Sequence, residues 1–535
     1  MPAAAARLTA GDPELLYVQA RAASMSGDHA RAAELLASLA TQSNSADITK
    51  KAMGEAIGAG QMDLALSLAR NIPAASVPTD ARLLLVADEI KHRRIDRAIP
   101  WLRPSGNNGD LTFLEPVLTA WDYAERGNAS QALASLDRIS ATNLLTALRP
   151  EEQAFILLKF KRAAEAEPFA RKAIANAGAR ETQLRLALAD GFLVAGDKTR
   201  ALAMLDGMNG DVATARQRVL AGRQSGQVID TTAKAYSAVL TAFAADLTRL
   251  QRTAAPIGLV QVARYADPEN SSATALLALL LDGQDRTDEA LRILSTIPPN
   301  DALVSQARDV QVRILSENKR LNEAYVVAAT AVRQPAAGMA DYSRLGDVLE
   351  SMKRHDAAAD AYGRAVALAK ANGNKGEVWP LLLLRASALE EGNRWPEAKA
   401  DLQEALTMAP DQPLLLNFLG YAQLERGENM DAAEAMIRKA SDLSPDDASI
   451  TDSLGWAEFK RGKVDEAIAT LQRAAEKDPD QAEIQEHLGD ALYKNGRRME
   501  ARFAWNASLV TAEDDVATRV KAKLASGLTT ANAAP

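Results

Sequence analysis

The sequence predicts an all-α fold, a solenoid of stacked antiparallel helix pairs. Three observations predict it. Leu454, Gly455, Gly462 and Ala467 return thirty-four residues later as Leu488, Gly489, Gly496 and Ala501. Hydrophobic residues make up 47% of the chain but aromatics only 4%, so the apolar share is mostly Ala and Leu, a helix-forming mixture. No segment alternates apolar and polar residues as a half-buried strand does. At 535 residues the chain also exceeds the usual size of one compact core.

The best-defined unit is DSLGWAEFKRGKVDEAIATLQRAAEKDP, residues 452–479. Its first helix turns at Gly462, where a positive φ or a tight approach favours glycine. The second helix returns antiparallel. Gly455 and Ala467 are small because the two backbones cross closely there. Leu454, Phe459, Leu471 and Ala474 fill the rest of the interface, and Pro479 sets the link to the next unit. One pair cannot cover its own apolar faces, whereas a stack of pairs makes a continuous core.

Reading backwards, Leu419–Gly420 opens the preceding unit, with one extra residue between Gly427 and Ala433 in the turn. Ala398, Leu402, Ala405 and Pro410 keep the register before it, as do Leu345, Gly346, Ala358, Tyr362 and Ala365. NKRLNEAYVVAATAV and GQDRTDEALRILSTIPP keep a second helix only. In the first half, Gly27, Gly127 and Gly196 are each followed by Ala five residues on and Leu four beyond. Residues 71–112 and 141–165 do not fit plainly. Residues 229–268 read as one more pair, with Pro256 opening its second helix.

The expected organisation is degenerate pairs over 1–210, irregular connecting helices over 211–268 and a regular array over 269–512. A helix end and disordered tail follow over 513–535, because SGLTTANAAP is small and polar.

Sixty-two basic against 70 acidic residues give a net charge of -8. Such a surface repels nucleic acid and anionic lipid. Without cysteine there is no disulfide, thiolate catalysis or Cys-type zinc site. No apolar run is long enough to span a membrane. The start, MPAAAARLTAGDPELL, has neither a basic n-region nor an apolar h-region. Cytoplasmic residence, and a periplasmic or outer-membrane-associated place after removal of an export signal, both stay open.

The helix-turn-helix of 34 residues with Leu-Gly, Gly, Ala and Pro resembles the tetratricopeptide repeat, plainly over 341–509 and more loosely before that. The whole chain resembles long bacterial arrays of that repeat. The resemblance implies a right-handed superhelix whose first helices line an inner face. The family's usual first-helix Trp is missing, and Trp456 stands two places after Leu454 instead. The Lys/Asn set that clamps a peptide carboxylate in some members is also missing.

Carried over by offset, the inner face takes Asn417, Tyr421 and Leu424 from one unit. Asp452, Trp456 and Lys460 come from the next, and Glu486, Asp490 and Lys494 from the last. An aromatic pair bordered by carboxylates suits an extended basic or aromatic segment. The competing reading packs Tyr421 and Trp456 between neighbouring helices.

Chemistry-bearing motifs are scarce. His29, His92, His355 and His487 show no ligand spacing. No phosphate-binding loop or nucleophile elbow occurs. DGQDRTDE, from Asp282, lacks the glycine and terminal glutamate of a calcium loop and reads as a solvated turn. KHRR (Lys91 to Arg94) and KNGRR (Lys494 to Arg498) read as helix surface or C-caps. The expectation is a non-enzymatic scaffold that needs no cofactor or metal and binds a protein or peptide partner. The alternative is a structural subunit of a bacterial envelope machine for polymer export or outer-membrane assembly.

Overall fold

The computed structural model describes residues 12–104, 109–140, 145–206, 213–225, 228–250, 255–334, 337–371 and 375–534. The opening MPAAAARLTAG and the expected division near residue 210 lie outside them. Among the described residues there are thirty α-helices and no strand. The chain divides into two compact units, residues 1–344 and 345–535.

In the N-terminal unit, α1 (Pro13–Met25) pairs with α2 (His29–Ser43), and α3 (Ala46–Gly58) with α4 (Met62–Arg70). The series continues as α5 (Thr79–Lys91) with α6 (Ile95–Leu102), and α7 (Glu115–Glu125) with α8 (Ala129–Leu136). Next come α9 (Arg149–Lys159) with α10 (Ala163–Ala175), and α11 (Glu181–Val194) with α12 (Lys198–Met204). After α13 (Ala213–Leu220), α14 (Thr232–Leu250) pairs with α15 (Ile257–Ala266). The last pairs are α16 (Ser271–Asp282) with α17 (Thr287–Leu294), and α18 (Val304–Glu317) with α19 (Leu321–Ala331).

Helix α20 (Met339–Ser351) crosses the division and precedes α21 (His355–Ala371). The C-terminal unit then pairs α22 (Lys375–Glu391) with α23 (Trp395–Met408), and α24 (Pro413–Glu425) with α25 (Met430–Leu443). It ends with α26 (Ala448–Lys460) and α27 (Val464–Lys477), α28 (Ala482–Lys494) and α29 (Arg498–Ser508), and α30 (Asp514–Ser526).

One turn unifies the pairs. Gly462 has φ 78° and stands five residues before Ala467, which is fully buried. Glycine takes that left-handed conformation without a Cβ clash. Gly27, Gly60, Gly127, Gly196 and Gly496 repeat the arrangement before Ala32, Ala65, Ala132, Ala201 and Ala501. Arg93, Lys161, Asp285, Lys319, Lys353 and Asn393 do so as well, before Ala98, Ala166, Ala290, Ala324, Ala358 and Ala398. Arg93 and Lys161 thereby bring into register the two segments that the glycine pattern leaves unplaced. The extra residue after Gly427 is absorbed by a second left-handed residue, Asn429.

The close crossing behind Gly455 is real. A Cβ there would stand 2.6 Å from Leu471 Cγ, and one on Gly420 would stand 2.7 Å from Ile437 Cγ1. Both distances lie well inside van der Waals contact, so side-chain volume on the second helix takes the place of a first-helix Cβ.

Residues 229–268 do form a pair, but it does not simply extend the stack. Helix α14 packs on α5, α7 and α16, and α15 packs on α3 and α5. The Tyr236 hydroxyl donates to the Leu83 carbonyl at 3.1 Å. The Tyr265 hydroxyl donates to Asp88 Oδ1 at 2.9 Å. Lys91, read from the sequence as surface, donates to the Tyr265 carbonyl at 2.8 Å and lies over the Tyr265 ring. A single apolar core accordingly runs from Ala33 to Ile314.

Residues 527–534, expected as a disordered tail, fold back onto α28. The Ala534 amide donates to Asp490 Oδ2 at 3.1 Å, and Asn532 is buried.

Candidate functional site

The nine side chains expected on the first-helix face separate into four groups. Leu424 is core, packed with Ala433, Ile437, Leu454 and Ala457. Lys460 and Lys494 are exposed, and Asn417 and Tyr421 are half-buried. Asp452, Trp456, Glu486 and Asp490 are buried. The expectation that this last group lines an open groove therefore fails, and each member has an identifiable cover.

Trp456 is 0% exposed, wedged between neighbouring first helices. Its ring stacks on His487 of α28 at 4.1 Å and on Phe459 at 4.8 Å. Its indole N–H donates to Glu425 Oε1 of α24 at 3.1 Å. Lys460 bonds the other oxygen of Glu425 at 3.2 Å and stands over the Trp456 ring. Tryptophan at this position thus ties three consecutive repeats together instead of facing solvent.

His487 lies against Asp452, with Nδ1 2.9 Å from Oδ2. Burial works against the imidazolium, but Asp452, Asp490 and Glu486 outweigh it and hold His487 above its ordinary pKa. Beside it the C-terminal helix closes the face. Val516 and Val520 of α30 enter the apolar cluster with Leu488, Leu492 and Trp505. Arg519 grips Glu486 with two N–H bonds, at 3.1 and 2.9 Å. The Lys523 ammonium, 0% exposed, sits 2.6 Å from Glu486 and 2.7 Å from Asp490.

Burial would raise Glu486, yet Arg519 and Lys523 hold it below the usual carboxylate range. Asp490 shifts the other way. Its burial is only partly offset by Lys523, the Ala534 amide and the Trp505 indole, so its pKa is raised. The charge of Arg519 also acts on the Tyr421 phenol of α24, which burial and nearby carboxylates push up. Arg519 and Lys523 are the residues that offset reasoning missed. Their signal was Val516, Val520 and Leu524 spaced by four behind Asp514 and Asp515, an amphipathic helix with an acidic start.

In the N-terminal unit Ser225, Asp230 and Thr232 likewise bond to the first helices α11, α9 and α7. The Ser225 amide donates to both oxygens of buried Asp190, at 3.0 and 2.7 Å. Lys159 bonds the Asp230 carbonyl at 2.8 Å, and the Thr232 amide bonds Glu125 at 2.5 Å. Nearby, Glu152 is buried and accepts the Trp121 indole N–H at 2.6 Å. Burial, reinforced by Glu151, pushes its pKa up to about 8 against the pull of Trp121 and Arg180.

Among the described residues no group of three or more His, Asp or Glu is placed to hold a metal ion. Asp282, in the stretch likened to a calcium loop, takes the Thr287 hydroxyl at 2.7 Å and the Asn318 amide at 3.1 Å. No helix among the described residues is long and apolar enough to cross a membrane.

Three family models match the C-terminal part of the chain. Two described as tetratricopeptide repeat cover residues 342–372 and 383–448, and one described as TPR repeat covers 455–496. No curated protein matches. Among solved structures, the APC/C heterotetramer Cut9–Hcn1 is 14% identical over 97% of this chain and 96% of its own, with a TM-score of 0.37. A tetratricopeptide repeat protein from Parabacteroides merdae is 14% identical over 48% of this chain and 97% of its own, with a TM-score of 0.39. The thermophilic TPR protein TTC0263 of Thermus thermophilus is 23% identical over 35% of this chain and 100% of its own, with a TM-score of 0.31. The family matches coincide with helices α20–α21 and α22 to α28, where the glycine crossings and left-handed turns recur; the C-terminal part of the chain is built of tetratricopeptide repeats.

Proposed function

We propose that this protein is a non-enzymatic scaffold that binds a segment of a partner protein along the first-helix face of residues 345–535. The observation that carries the reading is α30 itself. A helical segment already packs against α28 and α29 at the end of the stack, held by side chains that α28 directs at it. The equivalent surface at α5 and α7 is taken up by α14, which leaves less room there for a partner. Leu384 on α22 and Leu414 on α24 leave apolar surface open, and exposed Lys460 and Lys494 border the acidic end. Apolar anchors with a charged rim suit a protein segment.

Site-specific photo-crosslinking in the full chain tests this. A crosslinker at Leu384 or Lys460 is expected to capture a discrete protein in the native cell. One at Ala469 or Glu476, exposed on the second helix α27, is expected not to. Adducts from the second-helix positions alone would overturn the reading, as would substrate turnover by the purified chain.

A further inference from the structure

We propose that the acidic face of α28, with Asp452 of α26 beside it, is a receptor for a helix carrying two basic residues four apart. Helix α30 is then its resident and exchangeable occupant. This rests on the scaffold reading above and names the partner's chemistry.

Covering the end of a helix stack requires apolar contact, and Val516 and Val520 supply it. Arg519 and Lys523 do something else. Four residues apart, they share one side of α30, and both reach Glu486. Lys523 then bridges to Asp490, which the tail amide of Ala534 also meets. Burying such charges gains little over apolar residues of the same volume, because both partners lose their hydration. What they do fix is register and identity, since a helix without the basic pair would leave Glu486 and Asp490 buried without counter-charges.

The same chemistry makes α30 replaceable. Once released, Arg519, Lys523, Glu486 and Asp490 all regain water, and what is lost is the packing of Val516 and Val520 on Leu488, Leu492 and Trp505, which an incoming helix must restore. Five residues, 509–513, join α30 to α29, a short tether that keeps a released α30 beside its site. Tethering gives α30 a high local concentration, and an incoming helix must exceed that to take its place. The partner segment is therefore helical, with apolar residues at the positions of Val516 and Val520 and basic ones at those of Arg519 and Lys523. A carboxylate-lined face repels nucleic acid and anionic lipid, which leaves a protein helix as the occupant.

The test uses a fluorescent peptide of residues 513–534 and the full-length chain, read by anisotropy. The peptide is expected to bind an Arg519→Glu/Lys523→Glu chain at least about ten-fold more tightly than the parent, whose site is filled. Adding Glu486→Arg to that variant is expected to abolish the gain. Equal affinity for parent and variant, or binding that survives Glu486→Arg, would overturn the proposal.

Hydrogen exchange on the unmodified chain covers the case in which the variants misfold. Helix α30 must open as a unit of its own, before α28 and α29, and joint opening would overturn the proposal. Peptide failure alongside crosslinks from Leu384 or Lys460 would remove this inference and leave the scaffold reading standing.

Discussion

The indole of Trp456 lies nearly parallel to the imidazole of His487, with centroids 4.1 Å apart and planes 13° from coplanar. The contact joins α26 to α28, and the indole N–H carries the connection back to Glu425 of α24. Two polar-edged rings thus form part of the inter-repeat core.

Trp456→Ala is expected to cost about 3–5 kcal/mol, as deletion of a buried aromatic does. Chemical denaturation measures this. Hydrogen exchange should place the damage in α24, α26 and α28, since each repeat contacts only its neighbours. A change below about 1 kcal/mol would contradict the wedge.

The pH dependence of the C-terminal unit follows from His487. Its pKa is raised in the folded chain above its unfolded value. The pairing with Asp452 therefore contributes fully below the unfolded value and is lost as pH climbs through the raised one. Denaturation midpoints should fall across that window, and His487→Gln should flatten the fall. Asp490 and Glu486 act on the same imidazole and add to the displacement of that window.

Glu152 supplies a pH dependence in the N-terminal unit. Its folded pKa of about 8 exceeds the unfolded carboxyl value near 4.5. Between those values the unfolded chain ionises while the folded one keeps its proton, so stability falls as pH rises. Glu152→Gln keeps an acceptor for the Trp121 indole and cannot ionise. Its melting temperature should exceed the parent's at pH 8 and approach it near pH 4.

Crossing positions are limited by side-chain volume and turn positions by backbone conformation. Ala467→Leu should overpack the crossing, costing about 1–3 kcal/mol, and Leu454→Ala should leave a cavity costing about 2–5 kcal/mol. At the turns, Lys353 holds φ 56°. Lys353→Gly should relieve that strain and stabilise by up to about 1 kcal/mol. Urea midpoints distinguish these, and a destabilising Lys353→Gly would contradict the strain.

Much of this fold was legible because the crossing constraint falls on single residues. Gly455 and Ala467 can hardly be larger, and Gly462 takes its left-handed turn without strain, so their spacing survives in the letters. Arg93 and Lys161 adopt the same turn without that signature, since a left-handed residue need not be glycine, and their repeats stayed obscure. The candidate face was half legible. Offsets gave the direction in which Trp456, Glu486 and Asp490 point, but not what stands opposite. His487 and α30 do, and they turn expected surface into interior. The return of α14 and α15 onto α3, α5 and α7 left no sign in a local pattern.

That return bears on how the chain is made. In a simple stack each pair can settle as soon as its neighbour has emerged from the ribosome. Here Leu83 and Asp88 wait for Tyr236 and Tyr265, and Gly58 waits for Arg286, 228 residues later. At synthesis rates of about 5–20 residues per second, the N-terminal helices stay uncovered for on the order of ten seconds or more. Through that interval the nascent protein presents a half-finished apolar surface, and its dependence on chaperones should be concentrated there rather than spread along its length.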